Sequence, residues 1–478
     1  MIRAFLRDGV VYAIPSLVSR GLALFLVPIY TRVLSPEDYG SLDLLLVFAS
    51  IVNLVLPLEV TQAVARYYTD EQDPERQRDY ASSALWFTVG GYACFAATAW
   101  TFSETLAPWI MGRPGLLTSF RLGVGFMALQ GVCYFLLSQL RYELRSGAHA
   151  LTSLVLTLVT AVGGVLFAYA LGWGLAGLIL GMLLGVGAGC MCGFVALRDS
   201  LRPRVVGARL RELLAFSWWL VPSGLAVIVS AYVDRLMIKH FLSVEDVGIY
   251  GIGFRLASVV GLVMAGFQGA LTPLIYTHHR DPDTPRQLAR IFRAFAALAL
   301  LAFVGLSVFA REALVLLTTP DYYAARSVVV YLVPAILCAQ LYVFAPGPTI
   351  RKRTGIVAAL GLAGALTNTG LNALLIPRHG IEGAALATLC GNAGVLVGFM
   401  AISQRLYPVP HRWGPLLAAT ALIGAWVGWV TTWDASLGVR VLAALPTPAV
   451  VLASGVVPRD ELARILRWLR GARGSGEA

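Results

Sequence analysis

Arg20, Glu59, Arg66, Asp234, Arg235 and Arg255 are ionisable residues set among apolar neighbours in a chain of 478 residues. Three kinds of chemistry are open to such a set: binding an anion, carrying a coupling proton or counter-ion, and neutralising one another. Arg20, Arg66, Arg235 and Arg255 outnumber the carboxylates of Glu59 and Asp234. A guanidinium pairs bidentately with phosphate, so the surplus favours an anionic ligand over a neutral drug or a cation. The same residues also allow structural pairs, Asp234 with Arg255 or Glu59 with Arg20, and Arg66 can snorkel toward headgroups. Glu59 and Asp234 are the candidates for a coupling proton or a charge pair.

Other reactive types are less productive. Glu37-Asp38 has the look of an acidic pair, but Ser35-Pro36-Glu37-Asp38 is better read as a helix start. There Ser35 is the N-cap, Pro36 takes the first position, and the acids meet the helix dipole. Cys94, Cys133, Cys190, Cys192, Cys338 and Cys390 all lie in apolar runs. Without grouped His or Cys they make no zinc site and are read as buried free thiols. Gly251-Ile-Gly253 adjoins no strand, and no P-loop, zinc-protease pattern or nucleophile elbow occurs. No catalytic residue, metal or cofactor is expected, and the chain is read as no enzyme.

The elements that must position these residues follow from composition. The chain is 58% hydrophobic and 13% charged, with mean hydropathy +0.74, whereas soluble domains are ~45–50% apolar and ~25% charged. That excludes a water-soluble enzyme, a disordered scaffold and a coiled coil. A transmembrane helix needs about 20 apolar residues, and apolar runs at roughly that length recur about fourteen times. The expected architecture is an all-α polytopic membrane protein: an N-lobe over 1–197 with six helices, an amphipathic linker over 198–213, and a C-lobe over 214–406 with six more. Two further helices occupy 407–457, and a basic tail occupies 458–478. Individual spans include 9–33, 41–65, 81–103, 214–240 and 248–276.

The net charge of +11 does not indicate nucleic acid, because the basic residues sit between apolar runs and form no stripe with aromatics. They alternate instead. Arg76 and Arg78, Arg198 to Arg211, and Arg351 to Arg353 fall in every second connection. The positive-inside rule then puts both termini in the cytoplasm. Membrane lipids are the expected contacts of the linker and tail. No cleavable signal is read at the N-terminus.

The halves repeat. Leu34-Ser35-Pro-Glu37-Asp38-Tyr-Gly40 matches Leu242-Ser243-Val-Glu245-Asp246-Val-Gly248, and Ala49-Ser50-Ile-Val52 matches Ala257-Ser258-Val-Val260. With six spans between matches, the repeats are parallel, related by an axis along the membrane normal. Both halves contribute ionisable residues from their first two helices, as a site between repeats requires.

Several of these stretches resemble a known family. Pro28-Ile-Tyr-Thr-Arg32-Val-Leu-Ser-Pro-Glu-Asp-Tyr-Gly40 and Ala63-Val-Ala-Arg66-Tyr67-Tyr68 look like the opening of bacterial polysaccharide flippases. Asp234-Arg235-Leu-Met-Ile and Val247-Gly-Ile-Tyr-Gly-Ile-Gly-Phe-Arg255-Leu resemble the start of their second lobe. Those proteins belong to the multidrug/oligosaccharidyl-lipid/polysaccharide exporter superfamily. The resemblance implies flipping of undecaprenyl-pyrophosphate-linked glycan units (O-antigen or exopolysaccharide repeats) across the bacterial inner membrane. It also implies a cationic cavity holding the anionic head, matched here by Arg20, Arg66, Arg235 and Arg255, and partners in the glycan polymerase and chain-length machinery. The intramembrane Lys of some relatives is absent, since Lys239 falls near an interface. Alternatives are a lipid II flippase or drug/cation antiporter of the same superfamily, and a membrane-embedded glycosyltransferase or ligase. Short connections between spans argue against that enzyme.

Overall fold

The structure, a computed structural model, describes residues 18–19, 21–22, 25–432 and 436–453, with backbone alone for 262–270, 272–273 and 452–453. Among the described residues there is helix and no strand. Nine helical segments among those residues are long and apolar enough to cross a membrane, which makes the chain a multi-span helical membrane protein. In such a protein the backbone must satisfy its own hydrogen bonds, and the helix does so within one segment. The chain forms two compact units: residues 1–251 with 317–322, and residues 252–316 with 323–478.

The first unit is built on α1 (Pro36–Val55), α2 (Val60–Asp70), α3 (Pro74–Thr101), α4 (Ser103–Met111), α5 (Leu117–Tyr142), α6 (Ser146–Gly164) and α7 (Gly174–Leu197). The surface helix α8 (Gly207–Ser217), then α9 (Val221–Phe241) and the first turns of α10 (Val244–His278) complete it. At the start of α1 the expected cap is present. Ser35 Oγ accepts the Asp38 N–H at 3.2 Å, and the Asp38 carboxylate accepts the Ser35 N–H at 3.4 Å. Ser243 repeats this at α10, accepting the Asp246 N–H at 3.0 Å.

These duplicated starts lie against each other. A Cβ placed on Gly40 would overlap the Val244 carbonyl, and one on Gly248 would overlap the Pro36 carbonyl. Residue 36 corresponds to 244, and 40 to 248, so the contact is reciprocal. Such self-matching packing is what two-fold-related elements produce. Glycine is required at both positions because backbone meets backbone.

The expected span 41–65 is instead two helices. Pro57 lacks an N–H to continue the ladder, and Leu58 and Glu59 adopt left-handed φ of 48° and 56°, which breaks the chain between α1 and α2. The linker also differs: only its second part is helical, as α8, and that helix runs on to Ser217. Cys94 and Cys390 are exposed, against the expected burial, because their helix faces turn outward; Cys133 and Cys190 are buried. The tail over 458–478 lies outside the described residues.

The second unit holds the rest of α10, α11 (Thr284–Val308), α12 (Ala310–Leu317, whose last residue belongs to the first unit), α13 (Arg326–Leu341) and α14 (Gly347–Ile350). Then come α15 (Thr354–Leu406), α16 (Trp413–Thr431), α17 (Leu437–Ala444) and α18 (Thr447–Ala453). α15 runs 53 residues but carries a non-helical Gly380 (φ 60°, ψ −142°). It is thus two helices meeting at a kink just beyond Pro377, each part long enough to cross a ~30 Å hydrocarbon core. Pro446 separates α17 from α18 in the same way.

Candidate functional site

The first unit buries a charge cluster where α1, α9 and α10 meet. Arg235 is 5% exposed, Asp234 4% and Asp43 6%. The Arg235 guanidinium lies 3.1 Å from Asp234 Oδ1 and 3.5 Å from Asp43 Oδ2. Tyr250, fully buried, donates its hydroxyl to Asp234 Oδ2 at 2.6 Å. The guanidinium carbon stands 5.5 Å and 5.6 Å from the Tyr232 and Tyr250 ring centroids. Ionic groups out of water persist only when paired and hydrogen-bonded, and each of these is. The local sequence explains the place. Asp43 of the first repeat corresponds to Gly251 of the second, and the missing side chain at Gly251 leaves the room that the Asp43 carboxylate fills.

Asp43 was not singled out from sequence. The signal available for it is an acid within the apolar run Gly40-Ser-Leu-Asp43-Leu-Leu-Leu.

The other candidate residues fall elsewhere. Arg66 lies on α2, exposed, with its guanidinium carbon 5.4 Å from the Phe216 ring centroid on α8. About 18 Å of α1, at 1.5 Å per residue, separates its end of the bundle from Asp43. Glu59 sits in the break between α1 and α2 as the left-handed residue preceding α2. Arg255 is half-buried on α10 and belongs to the second unit. Arg20 lies outside the described residues. Among the described candidates of the first unit, Asp234 and Arg235 are brought into contact.

Beside Arg66 the linker is fastened to α3. Arg202 forks onto Glu75 at 2.5 Å and 2.9 Å, and its carbonyl accepts the Trp86 indole N–H at 2.8 Å. Ser82 and Ser83 accept the backbone N–H groups of Arg202 and Val206, both at 2.9 Å. Tyr80 donates to Glu212 of α8. The Arg202 hydrogen bond holds the Glu75 carboxyl below the usual carboxylate range. Burial, then the Glu212 hydrogen bond, pushes the Tyr80 phenol up.

At the opposite end, Arg113 bonds both Glu37 and Asp38, and the Lys239 ammonium donates to the Trp109 carbonyl at the close of α4. Among the described residues no group of His, Cys, Asp and Glu is placed to hold a metal.

A multi-span helical bundle with paired charges inside and an arginine standing over an aromatic ring at one end defines a polytopic helical membrane protein. The sequence pattern of the polysaccharide biosynthesis protein family matches residues 29–326, and the chain belongs to that family. It is similar to the succinoglycan biosynthesis transport protein ExoT of Rhizobium meliloti, 24% identical over 422 residues, covering 85% of this chain and 81% of that one. It is also similar to the probable low-salt glycan biosynthesis flippase Agl15 of Haloferax volcanii, 21% identical over 388 residues, 80% of each chain. In fold it resembles the lipid II flippase MurJ in an inward closed conformation, with TM-score 0.73 at 14% identity. That likeness covers 95% of this chain and all of the other.

Proposed function

We propose that the chain flips undecaprenyl-pyrophosphate-linked oligosaccharide units from the cytoplasmic to the periplasmic leaflet of a bacterial inner membrane. Alternating access through a cationic cavity carries the head across, while the polyprenyl tail stays in lipid. The observation that carries this reading is the family match over 29–326, joined to relatives named for glycan flipping and transport across four-fifths of the chain. About fourteen spans, with both termini cytoplasmic, complete the proposed topology.

Arg20, Arg66, Arg235 and Arg255 are the proposed contacts of the pyrophosphate. Arg66 suits a first contact, because its guanidinium is exposed and stands over Phe216. Arg235 enters the role by exchanging a carboxylate partner for phosphate, an exchange of like geometry. Asp234 and Glu59 are the proposed coupling or pairing acids. A glycan polymerase is a proposed downstream partner.

Reconstitution tests the reading. Purified chain in liposomes should move a fluorescent lipid-linked oligosaccharide between leaflets, and Arg66→Ala should slow that movement about tenfold or more, the effect of losing one charge-assisted contact. Transport of a lipophilic cation instead, or rescue of a strain lacking its lipid II flippase, would replace it with one of the two superfamily alternatives.

A further inference from the structure

Two thiols meet inside the first unit. Cys133 of α5 and Cys190 of α7 are 2% and 6% exposed. Their helices run parallel in a fixed register. A Cβ on Gly125 would touch Leu183, and one on Gly187 would touch Leu129. A Cβ on Gly189 would stand 3.1 Å from Cys133 Sγ, and one on Gly193 would stand 3.0 Å from Leu136 Cβ. Contacting residues are thus 56 to 58 apart in number, and Cys190 lies 57 beyond Cys133. The small residues of α7 allow this approach. The Cys190 thiol donates to the Leu129 carbonyl, one turn before Cys133, at 3.3 Å. Its sulfur is left to accept the Cys133 thiol, and the two groups are hydrogen-bonding neighbours. A disulfide spans Cβ atoms ~3.5–4.5 Å apart, and one turn along, at Leu136 and Gly193, the helices are no farther apart than that.

We infer that Cys133 and Cys190 are an oxidisable dithiol, closed to an intramolecular disulfide by a lipid-soluble quinone. Two S–H bonds break and one S–S bond forms. The quinone takes both protons and both electrons and leaves as hydroquinone, a two-electron exchange that an added thiol reverses. Burial sets the choice of oxidant. Leu129 and Met191, beside the pair, are exposed on apolar spans, so an apolar acceptor in the bilayer has a route that a charged, water-borne one lacks. The bond would staple α5 to α7, and it is independent of the flipping function proposed above.

Counting thiols tests this. The full chain in liposomes is treated with duroquinone, denatured, alkylated with N-ethylmaleimide and weighed intact. Wild type has six cysteines and should carry four maleimides after the quinone, with peptide mapping placing a Cys133–Cys190 bond. Dithiothreitol before alkylation should restore six, and ferricyanide in place of the quinone should leave six. Cys133→Ser and Cys190→Ser should each carry five, with or without the quinone; the wild-type readings stand without them should either variant fail to fold. Six maleimides after the quinone, a bond between any other pair, a quinone adduct on either thiol, or equal closure by ferricyanide would each overturn the inference.

Discussion

Arg235 is held by two carboxylates from different helices, and their joint burial decides what substitution there does. Removing Asp43 alone, as Asp43→Ala, takes the α1 carboxylate from the guanidinium but leaves it paired with Asp234. The cost should be about 1–3 kcal/mol, seen as early thermal unfolding of the purified protein in detergent. Arg235→Ala should cost more, about 3–5 kcal/mol, since it leaves Asp43 and Asp234 facing each other. Arg235→Met with Asp43→Leu and Asp234→Asn removes all three charges together and should recover most of the loss. Arg66 is different in kind. Exposed over Phe216, it supports no core, so Arg66→Ala should leave the unfolding temperature within a degree or two of wild type. Most surface substitutions change stability by less than ~0.5 kcal/mol. A large shift in melting would show that Arg66 acts structurally.

Between elements, the reciprocal crossing of α1 and α10 rests on two glycines. Gly40→Val and Gly248→Val each force backbone apart and should destabilise by at least the ~1–3 kcal/mol of ordinary overpacking. Because both side chains would press the same crossing from opposite sides, the double variant should cost less than the sum of the singles. Strict additivity in a thermal-shift series would separate the two contacts. The linker is a second case. The Glu75 carboxyl is held low by Arg202, so the clasp contributes fully above the ordinary carboxylate pKa of ~4.3. It is lost as pH falls through the lower folded value. Protection of the 198–206 amides, taken relative to the intrinsic exchange rate at each pH, should be high at pH 7 and fall away in acid below the ordinary carboxylate pKa, and Glu75→Gln should lower it at both. Slow exchange in that variant would show that Ser82, Ser83 and Trp86 hold the linker unaided.

For the whole molecule, acid should weaken the fold in a second window through His411. It packs against Phe292 and Trp413 with ring centroids 4.6 Å and 5.0 Å away. Burial first, and the Arg293 charge second, bring its pKa down to about 4. Below the unfolded value of ~6.5 the unfolded chain takes up a proton that the folded chain refuses. Stability therefore declines from pH ~6.5 to about 4 and is level above that window. Replacing the ring by Phe should flatten the melting temperature across this range. A profile unchanged by His411→Phe would assign the decline to other groups.

Much of this was legible in the residues alone. Long apolar runs demand helices in lipid, because each backbone group must find its partner within the segment. Ser35 and Ser243 announce their helix starts by local chemistry that needs no neighbour. The duplicated motif is likewise visible by eye. What the chain could not disclose in one dimension is where a side chain goes once helices pack. Asp43, within an expected apolar span, is buried against Gly251, and the break at Leu58 and Glu59 divides that span in two. Hydropathy measures a residue's cost of leaving water. Partner and depth depend on residues some two hundred positions away, and only the packed bundle brings those together.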